Sequence, residues 1–294
     1  MDAFAPSRTA EYMALFRALE SARPAEVRLF EDRCASRFLT ARLRSVVRAA
    51  SFQPLGRLLC SYIDSRWPGP RLSGIVRTRA IDDFVVSSMT TGCTQLLLLG
   101  AGYDTRAVRL SEVASTAVFE VDHPATQARK RQALGSTPPN VRYVPVNFER
   151  NSLQQELERA GFERDRQSCV LWEGVFSYLT VEAIDAMLLA LLELCATGSR
   201  ILITYVDEGA LKTAQPDGVA WMDAVSDVGE PFLTGLDPAC AEQFFADRGL
   251  TLRQDESTAD AARRLSLSGA HSIPPLYRLA TLELTDRSVA RIGG

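Results

Sequence analysis

Along residues 94–205 the apolar positions fall in short unbroken runs, separated by stretches where they recur at helical spacing. Residues 95–99 are polar only at Gln95 and end in Gly100, the profile of a strand covered on both faces. Residues 117–121, 141–144, 169–172 and 201–205 repeat it, with helices expected at 124–134, 151–160 and 181–195. Upstream the pattern is helical. Tyr12, Leu15, Phe16 and Leu19 share one spacing, as do Phe38, Leu39, Leu43, Val46 and Val47. Pro54 opens a helix over 55–64, and Trp67-Pro68-Gly69-Pro70 breaks the chain before a long helix at 72–89. A helix at 238–248 and strands at 250–253 and 277–284 close the pattern. Strands alternating with helices predict a doubly wound, mostly parallel α/β sheet. A helical cap is expected over 1–92 and the α/β domain over 93–294, with a lid insertion around 208–237 that is too long for a plain connector.

Composition narrows the class. Of 294 residues 46% are hydrophobic and 23% charged, which suits a globular chain and argues against disorder. A net charge of −3 provides no basic field for nucleic acid. The basic residues are nearly all arginines; the lysines are Lys130 and Lys212. The most apolar helical run, 186–192, is too short to span a bilayer, and no signal-peptide pattern follows Met1, so a cytoplasmic protein without a membrane partner is expected. Cysteines 34, 60, 93, 169, 195 and 240 show no metal-ligand or disulfide spacing and read as buried thiols. No metal site is expected.

Gly100-Ala101-Gly102-Tyr103-Asp104-Thr105 forms a strand-to-helix turn, where glycine lets the backbone approach a ligand. Asp122 follows Gly102 by twenty residues at the end of the second strand, where an acid accepts from the hydroxyls of an adenosine ribose. Two cofactors compete for such a site. A dinucleotide needs a third glycine where Thr105 stands, and Asp104 would repel its diphosphate. S-adenosyl-L-methionine has no phosphate and carries a cation, which acidic neighbours tolerate.

Four segments in register then resemble the leucine carboxyl methyltransferase family in the broad sense, including the tetracenomycin-type polyketide O-methyltransferases. They are Val76-Arg77-Thr78-Arg79-Ala80-Ile81-Asp82-Asp83, Leu98-Leu99-Gly100-Ala101-Gly102-Tyr103-Asp104-Thr105-Arg106, Phe119-Glu120-Val121-Asp122-His123-Pro124, and Trp172-Glu173-Gly174-Val175-Phe176-Ser177-Tyr178-Leu179. The resemblance implies a seven-stranded, Rossmann-like class I methyltransferase fold and S-adenosyl-L-methionine as cofactor. It implies that Arg77, or Arg79 in its place, pairs with the carboxylate of the cofactor's methionine end, Glu173 with its ammonium, and Asp122 with its ribose. Gly100, Ala101 and Gly102 line that end. Where the family usually has Asp-Leu for the adenine, this chain has Asn147-Phe148, whose side-chain carbonyl and backbone N–H can serve instead. Asp32-Arg33 stands where many relatives carry Asp-Pro. Asp104 and Arg106 are expected to pair within the turn.

Methyl transfer from a sulfonium is an in-line displacement. A carboxylate acceptor is ionised at pH 7 and needs no general base, whereas a phenol usually does. Of the two histidines, His123 adjoins the ribose acid and His271 lies in a Ser/Gly/Pro loop. Tyr178, Tyr205, Trp221, Met222 and His271 are candidates for the acceptor wall. The expected reaction is O-methylation of a small carboxylate, of polyketide type or from other secondary metabolism. Phenolic O-methylation, methylation of a protein C-terminal carboxyl, a nicotinamide-dependent oxidoreductase and a non-catalytic nucleoside-binding protein are the alternatives.

Overall fold

A computed structural model describes residues 8–146, 152–212, 232–267 and 269–285. Seven strands form one sheet in the order β3-β2-β1-β4-β5-β7-β6. They are β1 (Gln95–Leu99), β2 (Ala117–Asp122), β3 (Val141–Pro145), β4 (Ser168–Trp172), β5 (Arg200–Val206), β6 (Leu250–Ser257) and β7 (Tyr277–Leu284). The first five pair in parallel, while β7 runs antiparallel to both β5 and β6. Strand order reverses between β1 and β4, so their carboxyl ends flank the crevice where open α/β sheets take ligands.

The period of two along each strand divides the core. Leu97, Leu99, Phe119, Val170, Trp172, Ile203 and Tyr205 face one layer, filled by Leu188 and Leu191 of α8 (Val181–Leu194) and by Phe245. Leu96, Leu98, Leu171 and Leu202 face the other, filled by Ile81, Phe84 and Val85 of α4 (Pro70–Thr90). Because both faces are covered, β1 and β4 are buried at every position, which is why they read as unbroken apolar runs.

Two stretches differ from the pattern-based expectation. Strand β6 continues through Arg253-Gln254-Asp255-Glu256 instead of stopping at 253. It is an edge strand with a register irregularity between Leu252 and Gln254, and an edge tolerates charged residues. A further helix, Thr258–Arg264, follows directly, opened by a reciprocal cap between Ser257 and Asp260. The cysteine reading holds for half of the set: Cys93, Cys169 and Cys195 are buried, whereas Cys34 and Cys60 are half-buried and Cys240 is exposed.

Ahead of β1, α1 (Arg8–Ser21), α2 (Ala41–Ala50) and α3 (Gln53–Arg66) share a small core. Ala14, Leu15, Leu19, Phe38 and Leu39 pack there with Tyr103 from the Gly-rich turn and Leu134 from α6 (Pro124–Leu134). Phe38 and Tyr103 stack with ring centroids 4.6 Å apart and 10° between planes. The helical head is thereby joined to the turn after β1. Among the described residues no helix is long and apolar enough to cross a membrane.

Candidate active site at the carboxyl ends of β1, β2 and β4

The turn after β1 is built on positive φ. Gly100 has φ +66°, and a Cβ added there would lie 2.4 Å from Val175 Cγ2, so only glycine lets the two loops meet. The Ala101 N–H donates to Val121 O at 3.0 Å, tying the turn to β2. The Gly102 N–H donates to Asp122 Oδ2 at 2.5 Å, and the His123 N–H donates to Asp122 Oδ1 at 2.6 Å. Burial raises the Asp122 carboxyl above its ordinary pKa, against the pull of those two backbone donors. Its side chain is held at the crevice edge by backbone, which fixes its direction.

Arg77 comes from α4. Its Nε donates to Glu173 Oε1 at 2.8 Å, and its guanidinium lies over the Tyr277 ring at 4.8 Å from the centroid. Glu173, just past β4, takes a second arginine on its other oxygen: Arg106 Nη1 at 2.9 Å. Arg106 also donates Nε to Asp82 Oδ1 at 2.9 Å and pairs with Asp104. Asp82 in turn accepts two hydrogen bonds from Arg109. Three arginines and three acids therefore form one connected, largely buried network. Burial alone would raise Asp104; the Arg106 guanidinium, with lesser help from Lys130, overrides it and lowers the carboxyl to about 2. Glu173 opposes burial in the same way, lowered by Arg106 and Arg77.

The expected Asp104–Arg106 pair is thus present, inside a larger network. Of the two arginines proposed for the methionine carboxylate, Arg77 points into this cluster. Arg79 turns away, to Asp83 Oδ1 at 2.9 Å and Leu29 O at 2.7 Å. Asn147 and Phe148 lie outside the described residues.

The acceptor candidates separate. Tyr178 is half-buried, with its ring 5.2 Å from Phe232, and Phe232 is 6.1 Å from Tyr277. These three rings gather on the Arg77 side of the cluster. Tyr205 does not join them, and its assignment to the acceptor wall is corrected. It is fully buried on the opposite face of β5, its hydroxyl donating to Asp255 Oδ2 at 2.7 Å and accepting from Arg278 Nε at 3.1 Å. Thr204, one position earlier, faces the crevice side, where its Oγ1 accepts from the Gly174 N–H at 2.8 Å. His271 is exposed on a short 3-10 turn, and Trp221 and Met222 lie outside the described residues.

Two positions escaped the sequence reading. Tyr277 is buried on β7 and supplies the aromatic face under Arg77; the apolar alternation of 277–284 marks it as inward-facing but not as a neighbour of α4. Asp32, noticed only as a departure from Asp-Pro, is buried and ties the helical head to the turn. Its carboxylate accepts from Arg17 Nε at 2.9 Å, Thr105 Oγ1 at 2.7 Å, and the Cys34 and Ala35 N–H groups at 3.0 Å each. Lys130 sits beneath β2, bonded to Glu120 Oε2 at 2.6 Å, both side chains buried.

Comparison with known proteins places this geometry in a family. A curated relative from Mycobacterium sp. (strain KMS), named "Putative S-adenosyl-L-methionine-dependent methyltransferase", is 39% identical over 145 residues. That match covers 48% of this chain and 46% of the relative, so the chain spans about half the length of the curated relatives it matches. Among solved structures, a "putative methyltransferase" from Thermobifida fusca superposes with TM-score 0.58 at 20% identity, over 79% of this chain and 89% of that one. A DUF574 family protein from Streptomyces avermitilis gives TM-score 0.56 at 18% identity, over 78% and 90%. Both establish a shared Rossmann-like α/β fold. The leucine carboxyl methyltransferase family model matches residues 10–191, which run from α1 through the Gly-rich turn, Asp122 and Glu173 into α8. The chain belongs to the leucine carboxyl methyltransferase family.

Proposed function

We propose that this protein transfers a methyl group from S-adenosyl-L-methionine to an oxygen of a small carboxylic acid, of polyketide or other secondary-metabolite type. The observation that carries the reading is the convergence of Gly102, Asp122 and the Arg77–Glu173 pair at adjacent strand ends in a chain of this family. The residues present fit the cofactor. A Cβ at Gly102 would meet nothing nearer than Gly100 O at 3.8 Å, and one at Gly174 nothing within 4 Å, so room is kept beside both strand ends. Asp104, the carboxylate nearest the turn, is already neutralised by Arg106.

Asp122 would hold the ribose hydroxyls. Arg77 and Glu173 carry opposite charges in the order that an amino-acid zwitterion requires. Arg77 suits the carboxylate with its planar fork of donors, and Glu173 suits the ammonium. A zwitterion between them exchanges one internal ion pair for two, while Arg106 continues to balance Glu173. Asn147 and Phe148 remain the residues assigned to the adenine from sequence.

When bound, S-adenosyl-L-methionine supplies a methyl carbon on a sulfonium, open to in-line attack. The chain's part is to position the acceptor and exclude water. His123 caps α6 through Nδ1 and His271 is exposed, which supports an acceptor that arrives ionised. A phenolic acceptor is the second reading, favoured by the Tyr178–Phe232–Tyr277 rings, which suit a flat aromatic substrate. Transfer of a labelled methyl group to panels of carboxylic acids, phenols and carboxyl-terminal peptides separates these. The proposal expects labelled ester, with a rate flat above about pH 6. Label on phenols alone, with a rate rising through neutrality, would replace it with the second reading.

A further inference from the structure

The two short helices of the head carry a surface that the crevice chemistry does not use. Residues 33–63 hold six arginines and no acidic residue, within a chain whose net charge is −3. Large apolar side chains stand exposed on the same stretch and just beyond it: Phe52 (68%), Leu55 (45%), Leu58 (69%), Tyr62 (63%) and Trp67 (43%). On α3 the positions Leu55, Leu58 and Tyr62 repeat at helical spacing, while Leu59 and Ile63 turn inward to the small core. Arg42, Arg44, Arg48, Arg57 and Arg66 are all exposed, and none has an ion-pair partner among the described residues. Asp64, the acid on α3, is turned toward the head's interior by Arg71, which it pairs with at 2.5 Å.

The hairpin is also firmly made. A Cβ at Gly56 would lie 2.3 Å from Ala50 O, so α3 presses directly on the end of α2. The exposed side chains therefore project from a closely packed hairpin.

We propose that the α2–α3 hairpin is a docking surface for an anionic lipid membrane, with Phe52, Leu55, Leu58 and Tyr62 entering the interface and the arginines meeting lipid phosphates. Apolar side chains interleaved with arginines that have no ion-pair partner among the described residues, on a stretch whose own sequence from 33 to 63 carries no acid, complement a surface that is apolar just beneath a negative layer. A bilayer needs no matching groove, only exposed apolar side chains beside cations. The expectation that no membrane is involved rested on the lack of a spanning segment, a criterion that surface-lying helices evade. The inference is independent of the methyl acceptor.

The test is flotation of the full chain with vesicles of phosphatidylcholine alone and with about 30% phosphatidylglycerol, an anionic content that sets up the surface potential arginines respond to. Binding is expected only with the anionic vesicles and should fall away in about 0.5 M salt. Replacing Arg48 and Arg57 by glutamine should weaken partitioning by about fivefold each. The pair Leu58→Ser and Tyr62→Ser should abolish it, with far-UV circular dichroism unchanged, since both side chains are exposed. Absence of wild-type binding to anionic vesicles would overturn the proposal. So would undiminished binding by the variants, or a wild-type dimer in light scattering that Leu58→Ser and Tyr62→Ser dissolve, which would make a second copy the partner.

Discussion

Arg77 and Glu173 lie 96 residues apart in sequence and share a 2.8 Å hydrogen bond at the mouth of the crevice. One leaves the long helix that covers the sheet and the other ends its fourth strand, so the bond forms only once α4 has packed on the sheet. In the proposed function, the pair is the feature that would distinguish a pocket for an amino-acid zwitterion from one for a diphosphate. Arg77→Ala is expected to weaken binding of S-adenosylhomocysteine by about 1–3 kcal/mol, the range for a charge-assisted bond. Adenosine, which has no methionine end, should bind the variant as it binds the wild type. Isothermal titration with both ligands checks this, and an equal loss for both would place Arg77 in the scaffold instead.

Acid should act through Asp104. Its folded carboxyl lies at about 2, below the 3.8 of an unfolded one, because Arg106 outweighs burial. A carboxyl lowered on folding adds stability above its unfolded pKa and loses it as pH falls through the folded one. That contribution, about 2 kcal/mol, is therefore complete above about pH 5 and disappears toward pH 2. Urea unfolding of Asp104→Asn at pH 7 and pH 3 should give a stability curve flatter than the wild type's over that window.

Gly100 should tolerate no side chain. Gly100→Ala meets Val175 Cγ2 at 2.4 Å and also places alanine at φ +66°. A loss of about 2–3 kcal/mol is expected from the two effects. Adding Val175→Ala should recover the steric share but leave the backbone share, so the double variant should fall between the single variant and the wild type in thermal unfolding.

Asp32 should couple the helical head to the turn. Its carboxylate accepts from Arg17, Thr105 and two backbone N–H groups while buried. Asp32→Ala removes the shared acceptor of Arg17 Nε, Thr105 Oγ1 and the Cys34 N–H, while the Ala35 N–H keeps the residue-32 carbonyl, and should cost about 3–5 kcal/mol. Hydrogen exchange should then show α1 and the turn at 100–105 losing protection together, with the β4–β5 pair spared.

The sheet was legible because its strands are buried on both faces: runs such as 95–99 and 169–172 carry hydrophobicity as their whole message. The Gly-rich turn and Asp122 were legible because their spacing is set by one strand–helix–strand unit. What failed to show were relationships set by packing between distant elements. Tyr205 sits at a strand end beside the crevice in sequence, yet the two-residue period sends it to the opposite face and Thr204 to the near one. Asp32 shows in the sequence only as the acid of Asp32-Arg33 and not as a joint, since its four donors come from three separate stretches of chain. The hydrophobic pattern stops the edge strand β6 at 253 because its polar half resembles a loop. The apolar pattern misses the helix Thr258–Arg264, whose start is set by the Ser257–Asp260 cap rather than by an apolar period.

Titration calorimetry of the purified protein with S-adenosylhomocysteine, run beside NAD, tests the central claim most directly. One-to-one binding of the nucleoside with no heat from NAD is expected, and Asp122→Ala should lose about 1–3 kcal/mol of it. Heat from NAD and none from S-adenosylhomocysteine would contradict the account.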